Sequence, residues 1–437
     1  MPPLALVLSL LALHPLPSDG SIDGATTIDA APSTQDEARK SGDDLRQVDR
    51  PDAALDRDAF GPVGRFLLDW GGLRPQLEDR GIAIELFYTA DGSYVPFGSV
   101  DERGTAARGL LDLSFTYDTN PVLDIDGGTF HAALEWIHGQ DGSTEIGVVQ
   151  PTSSIDAEER FQLGRLWYQQ AFEGTRVRLG KIDGNSHFAV VDAAADFVHS
   201  SMGLSPTVFL MPTYPDAAFG VMVEQDAGPL VLRGGVFDGA LARGVRTGES
   251  GPSTTFDGTD DWFWIGEADL GWDGGRLVLG GWTSTADVAR FDGGTESGSR
   301  GLYAIAEHRL VDLGTAVEVH DPITHVVAAG IDGFLQYGSA DGDVSAVETH
   351  IGAGIQWVAP FGVATDRLGL GVSYADLTTA PGAGFTASSE TAFELYYGFE
   401  AAAFARVKTD VQYVLDPGGN AAVDDAWVFT LRVTLAL

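Results

Sequence analysis

From Ala426 to Leu437, apolar and polar side chains alternate almost without a break. Trp427, Phe429, Leu431, Val433, Leu435 and Leu437 fall on one side, and Val428, Thr430, Arg432, Thr434 and Ala436 on the other. A two-residue period is that of a strand with two different faces. A wholly apolar face opened by an aromatic residue suits a strand set between lipid and a wet interior. It also suits the closing strand of a soluble sandwich.

The alternation recurs along the chain. Ile82, Ile84, Leu86 and Tyr88 oppose Ala83, Glu85, Phe87 and Thr89; Leu111, Leu113, Phe115 and Tyr117 oppose Asp112, Ser114 and Thr116. Phe130, Ala132, Leu134 and Trp136 oppose His131, Ala133 and Glu135, and late in the chain Phe393, Leu395, Tyr397 and Phe399 oppose Glu394 and Tyr396. Val407, Thr409, Val411 and Tyr413 oppose Lys408, Asp410 and Gln412. Fainter alternation marks Phe161 to Phe172, Arg176 to Ile182, Phe219 to Gln225, Leu230 to Phe237, Trp262 to Gly271, Arg276 to Thr283, Leu302 to Leu310, Val326 to Tyr337, Thr349 to Trp357 and Arg367 to Leu377. Together these predict about sixteen strands, many near the length that crosses a bilayer.

The connections decide between lipid and sandwich. Glu173 to Thr175, Asp226 to Pro229, Trp272 to Gly275 and Glu400 to Phe404 are tight, whereas Gly139 to Arg160, Asp183 to Ala218, Asp238 to Asp261 and Asp416 to Asp425 are long. Short turns at one end and long loops at the other are the habit of outer-membrane barrels, and a sandwich has no reason for it. Asp118 to Gly128 and Val311 to His325 break the parity, being long where the scheme requires a turn. The predicted fold is an all-β transmembrane antiparallel barrel that closes its last strand on its first, because lipid tolerates no unpaired edge.

Ahead of the barrel, the apolar run Leu4 to Leu13 has the size of a signal-peptide core, so residues 1–20 are expected to be a signal peptide. Residues 21–63, rich in Asp, Ala, Ser and Thr, read as a linker before a barrel region at 64–437. Phe66, Trp70, Leu73 and Leu77 recur at helical spacing with Gly81 placed as a stop, predicting a short N-terminal helix that Pro75 ends or kinks. The formal charge of −37 argues against nucleic acid as a partner, and the absence of Cys is compatible with export.

Six stretches resemble the carbohydrate-selective porins of the OprB type. They are Asp69-Trp70-Gly71-Gly72-Leu73-Arg74, Leu179-Gly180-Lys181-Ile182-Asp183, Ser200-Ser201-Met202-Gly203-Leu204-Ser205-Pro206-Thr207, Asp366-Arg367-Leu368-Gly369-Leu370-Gly371, Glu394-Leu395-Tyr396-Tyr397 and the run from Asp410 to Gly419. They follow one another in family order over most of the chain. The resemblance implies a sixteen-stranded barrel in the bacterial outer membrane that passes sugars or other small solutes by diffusion. It implies no oligomeric state. A general porin, a barrel enzyme and a structural surface protein are the alternatives; no Gly-x-Ser-x-Gly motif speaks for the enzyme.

A passive pore needs a narrow point lined with donors and acceptors that replace water around solute hydroxyls, and no cofactor. The long connection Asp183 to Ala218 is the candidate. On a helix, Phe188, Val191, Ala195 and Val198 would share one face, and Asp192, Asp196 and His199 the adjacent one. A short amphipathic helix is therefore expected to lean on the wall and show its acids to the lumen. The basic side is expected on the preceding strands, at Arg165, Arg176, Arg178 and Lys181, although strict alternation puts Arg165 and Lys181 on the more apolar face. Such an arrangement sets a transverse field across the lumen; its alternative is plain pairing of these arginines with lumenal acids. Asp257 to Asp261 and Asp341 to Asp343 lack the spacing of a calcium loop, and the scattered His give a metal site no support.

Overall fold

The computed structural model describes residues 70–98, 104–259, 261–320 and 323–437. The expected signal peptide, the linker and Phe66 lie outside these residues. The chain forms β1 (Ile82–Phe97), β2 (Gly104–Asp118), β3 (Gly128–Gly139), β4 (Arg160–Phe172), β5 (Thr175–Ile182), β6 (Ala218–Ala227), β7 (Leu230–Asp238) and β8 (Trp262–Trp272). It continues with β9 (Gly275–Ala289), β10 (Thr295–His320), β11 (Ile323–Ala340), β12 (Val347–Val358), β13 (Arg367–Leu377), β14 (Ser389–Ala402), β15 (Ala405–Leu415) and β16 (Ala426–Ala436). Each strand pairs with its neighbours in sequence, and β16 pairs with β1 to close the barrel. Leu437 and Leu86 exchange both backbone hydrogen bonds, at 3.1 and 2.9 Å, so the ladder runs to the last residue.

The two faces part as the alternation requires. Leu113, Phe115, Leu134, Trp136, Phe393, Leu395, Phe429 and Leu431 stand exposed on the outside, an apolar surface that water would not tolerate at this extent. Asp112, Ser114, Glu135, Glu394, Gln412 and Arg432 are buried on the inside. The helix α1 (Leu73–Glu78) precedes β1. Pro75 sits in its first turn, where the missing N–H has no intrahelical partner to lose, so it neither ends nor kinks the helix. Gly81, at φ 78°, then turns the chain into β1.

Of the two connections that broke the parity, one is not a loop at all. β10 runs on to His320 and β11 begins at Ile323, so the expected span from Val311 to His325 is mostly ladder. Register shifts between Arg309 and Val311 and between Asp312 and Thr315 slip the two-residue period there, which hides the strands from a pattern reading. The other, between β2 and β3, is a compact, exposed turn. A helical turn, Asn120–Leu123, is held by Thr119, whose hydroxyl lies 2.7 Å from the Ile125 carbonyl and 2.9 Å from that of Gly128.

The apolar core lies inside the barrel. Phe188, Phe197, Met202 and Met211, from the connection between β5 and β6, pack on Phe237, Phe263, Trp282, Phe334 and Tyr396 of the wall.

Candidate functional site

The segment from Asp183 to Ala217 carries no strand period and is interrupted by Gly184, Gly203, Pro206, Pro212 and Pro215. It folds as short turns, Gly184–Ser186, Asp192–Ala194 and Pro206–Val208, with one helical turn at Ser200–Gly203. The expected amphipathic helix does not form. Val191, His199 and Ser205 are extended before their turns while Ala189 is left-handed, and side chains cap the backbone instead: Asp183 accepts from Asn185 N, His199 Nδ1 from Ser201 N and Ser205 Oγ from Thr207 N. Phe188, Val191 and Val198 are buried as the helical reading required, but Ala195 is exposed, because consecutive turns do not keep one face.

What holds this segment inside the barrel is a set of wall acids accepting from its backbone. Glu267 takes the N–H of Ala189 at 2.8 Å, Glu307 that of Ala193 at 2.6 Å, and Glu394 those of Val198 and His199 at 2.6 and 3.1 Å. Gln336 donates to the Ser201 and Met202 carbonyls at 2.8 and 2.7 Å. These bonds satisfy backbone groups that have no ladder. Gly371 clears the way for the segment: a Cβ there would come within 2.7 Å of the Phe197 ring and 2.9 Å of the Met202 sulfur.

Between this inner loop and the wall of β1, β2 and β12 to β16 lies a cavity of about 590 Å³. The loop contributes Asp196, Phe197, His199 and Tyr214; the wall contributes Arg367, Arg406, Lys408, Arg432, Gln356, Phe87 and Thr89. Lys408 and Arg432 are directly opposite in register. Like charges so placed repel, and each is offset by a carboxylate. Arg432 grips Asp91 with two bonds of 2.8 Å and reaches Ser153 and Ser154 at 3.0 and 3.1 Å. Arg108, 2.7 Å from Asp156, lies 3.8 Å from the same Asp91. Lys408 lies 3.2 Å from Asp196 Oδ1 and donates to the Asp196 carbonyl; it also sits 4.9 Å from the centroid of the Tyr396 ring. Burial alone would raise the Asp196 pKa, but Lys408, Arg406 and Arg367 hold it below the usual carboxylate range.

The model of the carbohydrate-selective porin family, OprB, matches residues 102–437. The chain belongs to the OprB family of carbohydrate-selective porins. This porin is a channel of the outer membrane for carbohydrates. Among solved structures, it is similar to Pseudomonas putida OprB in its high-pH structure, with 20% identity, a TM-score of 0.74 and coverage of 84% of this chain and 97% of that one. The low-pH structure of the same protein gives 17% identity and a TM-score of 0.55 over 85% and 97%. No curated protein matches the chain.

The porin brings its acids to cations that sequence reasoning did not assign to them. Asp192, exposed, lies 3.1 Å from Arg276 on β9, and Asp196 meets Lys408 on β15. Arg176 instead pairs with Glu224, and Arg178 is stacked 4.0 Å over Trp167 and bonded to His187. Neither is among the residues lining the cavity. Arg165 does point inward, against strict alternation, because Ala133 and Leu134 of β3 pair with Arg165 and Leu163 and leave Gly164 as a bulge. There it donates to both oxygens of Asp112 at 2.8 and 2.6 Å. Lys181 is buried and bonded to the Gly248 and Ser250 carbonyls, tying down the next loop. His199 is also buried, capping Ser201; burial pushes its pKa to about 3, so it is neutral in the lumen. Arg367, Arg406, Lys408 and Arg432 were missed. Their signal was present, since Arg406, Lys408 and Arg432 all stand on polar faces of adjacent late strands.

Proposed function

We propose that the solute path narrows between the inner loop and the basic wall, and that a sugar is oriented there by the field between Asp196 and the cations of β13, β15 and β16. The observation that carries this reading is the 590 Å³ cavity with Arg367, Arg406, Lys408 and Arg432 on one side and the loop on the other. Fixed donors and acceptors replace water around the sugar hydroxyls, while Phe87 and Tyr214 offer apolar surface to the ring faces. Arg165 with Asp112 and Asp192 with Arg276 extend the paired charges along the lumen. Arg176, Arg178, Lys181 and His199 serve to brace the wall and loop.

Lys408→Ala is expected to leave Asp196 less opposed and to move the reversal potential in a salt gradient toward cation preference. The double variant Arg176→Ala with Arg178→Ala is expected to leave it unchanged. The opposite result in planar bilayers, with the double variant shifted and Lys408→Ala not, would put the eyelet on β5.

The apolar outer surface is assigned to outer-membrane lipid and the long connections to the cell exterior. A tag inserted between the exposed Gly251 and Pro252 is then reachable on intact cells, and one inserted between Glu173 and Gly174 is not. Labelling in the reverse pattern would invert the orientation.

A further inference from the structure

Arginines in this lumen come with acids. Arg108, Arg165, Arg176, Arg233, Arg276 and Arg432 each hold a carboxylate within ion-pair distance. That is the expected economy of a chain with 63 acidic and 26 basic residues. Arg406 departs from it. It lines the cavity, half-buried, and donates to the Thr365 carbonyl at 3.4 Å. Glu400 stands opposite it in register on β14, and among the described residues no ion pair joins Arg406 to a carboxylate.

The surroundings point the same way. None of the cavity-lining residues of β1 and β12 to β16 is an acid. Arg432 is matched by Asp91, Lys408 by Asp196, and Arg367 is buried and tied to the Ala364 and Asp366 carbonyls, so the guanidinium of Arg406 is a positive charge left to the lumen. A neutral sugar offers it only hydroxyl oxygens. A carboxylate fits a guanidinium with two parallel charge-assisted bonds, about twice as strong as neutral ones.

We infer that the preferred solute of this eyelet is a monosaccharide acid, an aldonate or uronate, whose hydroxyls bind as those of a neutral sugar do and whose carboxylate pairs with Arg406. The inference rests on the cavity being the eyelet, as proposed above.

Gluconate and glucose, which share a six-carbon skeleton and differ in charge and in ring closure, are the probes, with glucuronate, a charged pyranose, as the control for the ring. With the full chain in planar bilayers, gluconate is expected to half-block the ion current at about one-tenth the glucose concentration. Arg406→Ala is expected to remove most of that ratio by weakening gluconate block far more than glucose block, and Arg406→Lys to keep a preference for gluconate. Equal block by both sugars in the unaltered protein refutes the acid preference and leaves the eyelet standing. A ratio that survives Arg406→Ala in full overturns the assignment to Arg406. Absence of block by either sugar, together with an unmoved reversal potential in Lys408→Ala, refutes the eyelet itself. The comparison in the unaltered protein needs no variant to fold.

Discussion

Replacing Asp91 by alanine is expected to destabilise the barrel by about 3–5 kcal/mol, the range for breaking a buried ion pair by deleting one partner. Asp91 is buried on β1 and directly opposite Arg432 on β16, at the seam where the barrel closes. It accepts both bonds of the Arg432 fork, a 2.7 Å bond from Ser153 and the field of Arg108 at 3.8 Å. Without it two buried guanidinium groups face each other across the seam, with Asp156 left as the partner of one. The connection between β3 and β4 also loses a tether, since Ser153 belongs to it. The measurement is the temperature at which the fast-migrating folded form is lost on unboiled gels, with limited proteolysis between residues 140 and 159. An unchanged transition and an unchanged cleavage pattern would remove this cluster from the stability of the barrel. Asp91→Asn, which keeps the shape and some hydrogen bonding, is expected to fall between the two.

The double variant Glu307→Ala with Glu394→Ala is expected to raise the open-channel conductance about twofold or more and to make the current noisy. These two acids accept three of the backbone N–H groups by which the inner loop is held, those of Ala193, Val198 and His199. Each N–H left buried without an acceptor costs about 1–3 kcal/mol, so the loop gains by moving to where water can reach it. Movement away from the wall widens the narrowest part of the path. Barrel closure should survive, because the ladder from β1 to β16 uses neither side chain. A quiet channel of unaltered conductance would mean that the apolar contacts of Phe188, Phe197 and Met202 hold the loop without the acids.

Much of this architecture is legible in the sequence. Trp427, Phe429 and Leu431 face outward and Thr430 and Arg432 inward because a ladder leaves no other option once one face is apolar. Tight and long connections likewise follow from strand spacing. The reading failed where the backbone leaves its period. The bulge at Gly164 turns Arg165 inward, and the slips near Arg309 and Asp312 lengthen β10 and β11 past the point where alternation stops. A bulge is one extra residue, and a two-residue pattern cannot register it without knowing the partner strand.

The inner loop marks the boundary more sharply. Helical spacing of Phe188, Val191, Ala195 and Val198 suggests a helix, yet the segment is a series of turns of 3 or 4 residues, bound to acids from strands that lie 78, 114 and 196 residues away. Of those acids Glu394 is visible on a polar strand face, and nothing local distinguishes an anchor from a solvated carboxylate. For the same reason the sequence places the basic side on β4 and β5, next to the loop along the chain, when closure brings β15 and β16 to it in space. The chain by itself determined that this protein is a closed β-barrel with a charged lumen, because period and apolar outer faces are local properties of strands. Only the tertiary structure decided which charges meet, because Lys408 finds Asp196 across 212 residues, a pairing set by barrel closure and by how far the loop folds inward.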